Sequence, residues 1–177
     1  KKTFNHGRSG RAPWFRTACC PSNLARLIPQ VSGMVYSCAG DDVFCALYAG
    51  NSTVLDVDGE KIALKQVTRY PYDGNVSIEV TPESGSSEFT LWLRIPTWVT
   101  DRFMPSELYR YADCQDAGYT VRVNGKKVRA ALKDGYFPVQ REWKAGDRVE
   151  LELDMPVRSS VADPRVEADV NRLCITR

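Results

Sequence analysis

The apolar positions of this 177-residue chain change period near residue 40. Before that point Leu24, Leu27, Ile28, Val31 and Val35 recur at three- and four-residue intervals, which puts them on one face of a helix. The spacing predicts one buried amphipathic helix over residues 21–36. Pro21 suits its start, because the missing N–H would have no intrahelical partner there. Pro29, in mid-pattern, is expected to kink the helix, and Gly33 to weaken its last turn.

After residue 40 the period is two. Val43 to Tyr48, Leu55 to Val57, Glu60 to Leu64, Val76 to Val80, Phe89 to Ile95, Tyr119 to Val123, Lys126 to Arg129 and Val149 to Leu153 are strand candidates, several of them alternating apolar and polar. Asp58-Gly59 and Asn124-Gly125 separate paired runs and mark two-residue hairpins, since both central residues of such a turn need positive φ. Strands at this spacing, with Gly, Pro and Asp between them, predict an antiparallel β-sandwich. Residues 100–118 have no period and mix both charges, so they are expected as a surface insertion. Leu173 to Thr176 is expected as a short last strand, and the whole as a mainly β fold with residues 1–40 set apart from a sandwich of residues 41–177.

Composition narrows the function. With 43% hydrophobic and 26% charged residues the chain can bury its own core, and a net charge of +2 is too small to argue for nucleic acid. Five Lys or Arg between Lys1 and Arg16 face no acidic residue, a run read as a solvated flank. No stretch has the apolar length of a membrane span. The expected partner list therefore holds no nucleic acid and no membrane.

The six cysteines, Cys19, Cys20, Cys38, Cys45, Cys114 and Cys174, do not have the spacing of a small stapled scaffold and are expected as mostly free thiols. Cys45 alternates with Val43 and Leu47 and is expected in the core, as are Cys38, Cys114 and Cys174. Cys19 and Cys20 differ. They stand just before Pro21, where a helix start leaves N–H groups unpaired and favours a thiolate. A thiolate attacks carbon well and binds zinc well.

Other chemistry is unsupported. No Cys-x-x-Cys or His pair has zinc-site spacing, the single histidine, His6, lies in a polar Gly-rich flank, and no Gly-x-Ser-x-Gly elbow exists. Glu79, Glu88, Glu150 and Glu152 fall on strands as solvent-facing positions, so no carboxylate pair for ordinary glycoside hydrolysis stands out. From spacing alone Cys19 and Cys20 are more simply a structural pair.

The run Pro13-Trp14-Phe15-Arg16-Thr17-Ala18-Cys19-Cys20-Pro21-Ser22-Asn23-Leu24-Ala25-Arg26 resembles the signature of glycoside hydrolase family 127, the β-L-arabinofuranosidase group. Thr68-Arg69-Tyr70-Pro71-Tyr72-Asp73-Gly74, Leu93-Arg94-Ile95-Pro96-Thr97-Trp98, Val123-Asn124-Gly125, Gly135-Tyr136 and Arg141-Glu142-Trp143-Lys144-Ala145-Gly146-Asp147 resemble its later motifs, in the right order.

The resemblance implies a retaining exo-glycosidase that releases terminal β-L-arabinofuranose from glycans, with an (α/α)6 catalytic barrel followed by β-sandwich domains. It implies that Cys19 is the nucleophile and that Cys19 and Cys20 are both zinc ligands, beside one Glu and one further Cys. Residues 1–40 then become the last piece of the barrel. The general acid/base and the remaining zinc ligands are expected upstream of Cys19, and the family's Gly-Pro continuation after Arg177 is missing. By itself the chain is thus expected to be inactive, to hold little or no Zn2+, and to expose a helix face through which two copies could associate. Trp14 and Phe15 are minority candidates for sugar contacts, with plain packing the commoner role of such a pair. A non-catalytic sandwich that binds glycan, and a redox dithiol at Cys19 and Cys20 without metal, are the competing readings.

Overall fold

A computed structural model describes residues 19–100, 106–112 and 117–177. The chain divides into two compact units, Lys1–Met34 and Val35–Arg177.

In the first unit, helix α1 spans Cys19–Gln30 and is followed by a 3-10 turn over Val31–Met34. It takes in both cysteines, two residues earlier than the spacing predicts. Pro21 still lies in the first turn, where no N–H is needed. Pro29 removes a hydrogen bond near the other end, and the α-helix gives way to the tighter turn just after it. The expected burial of the apolar face is corrected: Leu24 (57%), Leu27 (48%), Ile28 (69%) and Val31 (39%) are exposed, and only Val35, which belongs to the second unit, is buried.

The second unit is mainly β. Its strands are β1 (Tyr36–Ala39), β2 (Asp42–Cys45), β3 (Asn51–Val57), β4 (Glu60–Thr68), β5 (Asn75–Pro82), β6 (Ser86–Arg94), β7 (Tyr109–Tyr111), β8 (Tyr119–Val123), β9 (Lys126–Val128), β10 (Tyr136–Lys144), β11 (Asp147–Leu153), β12 (Arg158–Ala162) and β13 (Cys174–Thr176). They form a six-stranded sheet in the order β3-β4-β5-β11-β8-β9, a four-stranded sheet β1-β2-β6-β10 and a three-stranded sheet β13-β12-β7. All pairs are antiparallel except β2 with β6, which run parallel with Val43 opposite Leu91.

Alternation does the folding work. In β5 Val76, Ile78 and Val80 point inward while Asn75, Ser77 and Glu79 point out. Phe89, Leu91, Leu93, Phe137, Val139 and Trp143 from the four-stranded sheet meet Ile62, Leu64, Ile78, Val121, Val149 and Leu151 from the six-stranded one in a single cluster, with Cys45 among them as expected. Cys38 and Cys174 are exposed, not core, because both lie on the edge strands β1 and β13; Cys114 lies outside the described residues. The segment expected as an insertion supplies β7, which pairs with β12.

Both predicted hairpin turns have the required backbone, with φ of 52° and 84° at Asp58 and Gly59 and 50° and 75° at Asn124 and Gly125. The second is tied to the next turn. Asn124 Nδ2 donates to Asp147 Oδ1 at 2.7 Å, the Lys144 N–H donates to Asp147 Oδ2 at 2.9 Å, and Arg141 Nη2 lies 3.3 Å from the same oxygen. Burial pushes the Asp147 carboxyl up, but these donors outweigh it and hold the group below its ordinary value. Its contribution to stability is therefore present above the unfolded pKa of about 4 and is lost as pH falls through the lower folded value. An Asp147→Asn variant is expected to lose stability less steeply than the parent between about pH 4 and pH 2 in urea melts. Equal slopes for the two proteins would remove Asp147 from the acid response.

Candidate functional site

The structure places Cys19 and Cys20 side by side in the first turn of α1, both exposed and both free thiols. Their sulfurs stand 3.7 Å apart, and Ser22 Oγ donates to the Cys19 carbonyl at 3.1 Å, three residues back along the turn. Consecutive residues of a helix point about 100° apart, so two adjacent side chains converge only when both rotamers turn toward the same side.

That separation has a chemical meaning. Two thiolates on one tetrahedral zinc, each at about 2.3 Å, stand about 3.8 Å apart. The pair therefore fits as two of four ligands without rearrangement. Among the described residues no group of three or more His, Cys, Asp or Glu could hold a metal, so none of them adds a third ligand to the pair. His6, Trp14 and Phe15 lie outside the described residues.

The other described thiols lack these properties. Cys45 is fully buried, and burial pushes its thiol up to about 12, so it stays protonated and packs. Burial, with the Asp56 carboxylate adding to it, also raises Cys38. The carboxylates are spread out as well. Glu79 pairs with Arg148 at 3.4 Å and Glu152 with Arg122 at 3.0 Å on the outer face of the six-stranded sheet, Glu88 is exposed and Glu150 half-buried. No carboxylate pair facing a common cavity emerges from these four, in keeping with the sequence.

The motifs downstream of the cysteines are largely devices of the sandwich. Trp143 fills the core with its indole N–H donating to the Phe89 carbonyl at 3.0 Å. Gly74 sits where a Cβ would lie 1.9 Å from the Leu153 carbonyl oxygen, a position open to no other residue without backbone movement. Tyr70, Arg94 and Trp98 are different, since they gather around one open cleft.

Comparison with known proteins matches residues 42–155, more than half of the chain, to the model of the middle domain of the family 127 β-L-arabinofuranosidases. A non-reducing end β-L-arabinofuranosidase of Bifidobacterium longum subsp. longum is 32% identical over 98% of the chain, which spans 24% of that protein. Among solved structures, a family 127 β-arabinofuranosidase superposes with a TM-score of 0.89 at 46% identity, covering 94% of this chain and 26% of that one. A family 127 β-L-arabinofuranosidase from Geobacillus stearothermophilus T6 gives 0.79 at 37% identity, covering 97% and 25%. The chain thus spans about a quarter of the length of these relatives. The sandwich, its turn motifs and the cysteine pair ahead of it, taken with these likenesses, place the chain in glycoside hydrolase family 127.

Proposed function

We propose that this chain is part of a retaining exo-glycosidase that releases terminal β-L-arabinofuranose from glycans, with Cys19 as its nucleophile. The observation that carries the reading is the convergence of the Cys19 and Cys20 sulfurs at 3.7 Å in the first turn of a helix, directly ahead of a family 127 middle domain. The thiolate is the attacking species in such a reaction.

In the first step the Cys19 sulfur attacks the anomeric carbon while the bond to the leaving oxygen breaks, and that oxygen takes a proton from an acid. In the second, water displaces the sulfur and restores the thiolate. Inversion at each step gives net retention. A zinc ion held by Cys19, Cys20 and two further donors would lower the thiol pKa and moderate the sulfur as a leaving group. Cys20 acts only as a ligand in this scheme, and no glutamate of this chain is assigned the proton transfer.

The complete protein is expected to release L-arabinose from a terminal β-L-arabinofuranoside and to carry one zinc that survives dialysis against a mild chelator. Cys20→Ser is expected to lose that zinc, and the 177-residue chain alone to hold it far more weakly, because two neighbouring sulfurs cannot enclose a metal that wants four ligands. Stoichiometric zinc in the Cys20→Ser protein would overturn the ligand assignment.

A further inference from the structure

We infer that the end of the sandwich carries a second carbohydrate site, a cleft of about 230 Å³ walled by Tyr70, Trp98 and Arg94, that holds a neutral sugar residue of the glycan away from the reacting bond. Two stretches far apart in sequence supply its walls. Tyr70 comes from the turn after β4, Arg94 from the end of β6, and Trp98 from the short 3-10 turn Thr97–Val99. Leu47 and Tyr48, after β2, close the floor. Trp98 and Tyr70 also line a neighbouring cleft of about 120 Å³, so this aromatic pair stands between two open spaces.

Tyr70 and Trp98 both pack one side against the sandwich core, and what sets the cluster apart is how its hydrogen-bonding groups are used. Three tryptophans lie among the described residues. Trp143 is buried and donates to Phe89. Trp92 stacks on Phe44 with centroids 5.6 Å apart, lies under Lys133 and donates to Asp42 at 2.7 Å. Trp98 is half-buried, and among the described residues no ring stacks on it and no group accepts a hydrogen bond from its indole N–H. The Arg94 guanidinium forms no ion pair or hydrogen bond with any described residue, and the Tyr70 hydroxyl forms no hydrogen bond either. Tyr48, by contrast, is spent on structure, its hydroxyl donating to the Arg94 carbonyl at 2.5 Å and its ring meeting Tyr70 edge-on at 5.9 Å.

The cleft thus presents aromatic surface and unused donors, with no carboxylate in its lining. Such a lining suits a ligand with one apolar C–H face and a rim of oxygen acceptors, which is the chemistry of a sugar ring. One arginine, with no second cation in the lining of this cleft, favours a neutral sugar over a phosphate. The choice of arabinose as the sugar rests on the function proposed above; the presence of a sugar site does not.

The test measures equilibrium binding of an L-arabinofuranosyl trisaccharide to the complete protein by calorimetry, in a Cys19→Ser background so that nothing is turned over. Trp98→Ala is expected to weaken binding roughly tenfold or more, Arg94→Gln by a smaller factor, and Trp98→Phe to keep part of the affinity through its ring. Melting temperature is read in parallel. Affinity unchanged within about twofold in both Trp98→Ala and Arg94→Gln overturns the inference, as does a fall in stability of Trp98→Ala with full affinity in Arg94→Gln, which would make the surface a packing face. Hydrolysis that survives Cys19→Ser would instead sink the nucleophile assignment and leave the binding result standing.

Discussion

Cys19→Ser in the complete enzyme is expected to lower kcat for a terminal β-L-arabinofuranoside by about 10⁴-fold or more while leaving fold and zinc-independent stability intact, the scale on which loss of a nucleophile is felt elsewhere. The substitution keeps size and polarity, so its effect is chemical. A serine hydroxyl is far less acidic than a thiol and a far poorer nucleophile without an adjacent base. Single-turnover measurement of arabinose release separates this from a binding defect. Retention of more than a tenth of the parent rate would remove Cys19 from the chemistry.

The largest effect on stability is expected at Trp143. Its side chain is 0% exposed, stacks on Phe89 at 5.5 Å and donates to the Phe89 carbonyl. Trp143→Ala opens a cavity between the two sheets and leaves that carbonyl without its partner, a loss of about 3–5 kcal/mol. At roughly 2–4 °C per kcal/mol for a chain of this size, Tm falls by roughly 10 °C. A loss below about 1 kcal/mol would mean that the core closes over the gap.

Much of this fold was legible where local geometry leaves no choice. Asp58-Gly59 and Asn124-Gly125 announce their hairpins because few other residues tolerate positive φ twice in succession. β10 escaped notice because Pro138 interrupts its pattern; the strand tolerates it because β10 is an edge of its sheet, where a missing N–H need break no ladder bond. β12, with the run Arg158-Ser159-Ser160, shows no apolar alternation, and its buried positions hold Arg158 and Ser160. Arg158 is covered by the Tyr111 ring at 3.3 Å, a contact invisible to periodicity.

The site divides the same way. Adjacent cysteines before a proline are a local signal, so their place at a helix start could be read from the chain. The cleft of Tyr70, Arg94 and Trp98 could not, because β5 and most of β6 separate Tyr70 from the other two in sequence and the three meet only when the sandwich closes. Burial of the α1 face was read from amphipathicity alone, which tells that a helix has an apolar side and not what lies against it.

The parallel pairing of β2 with β6 sets the length of the loop that the four-stranded sheet must close. Everything from Ala46 to Gly85, including the antiparallel run β3-β4-β5, lies between β2 and β6, so this contact closes a long loop and carries a large entropic cost. β1 is bonded to β2 and to nothing else in the sheet, and only Gly40 and Asp41 separate the two strands, so this hairpin closes at little entropic cost. The β1-β2 hairpin thus joins the rest of its sheet through a single non-local parallel ladder, and its outer strand has a partner on one side only, the kind of place where local opening begins.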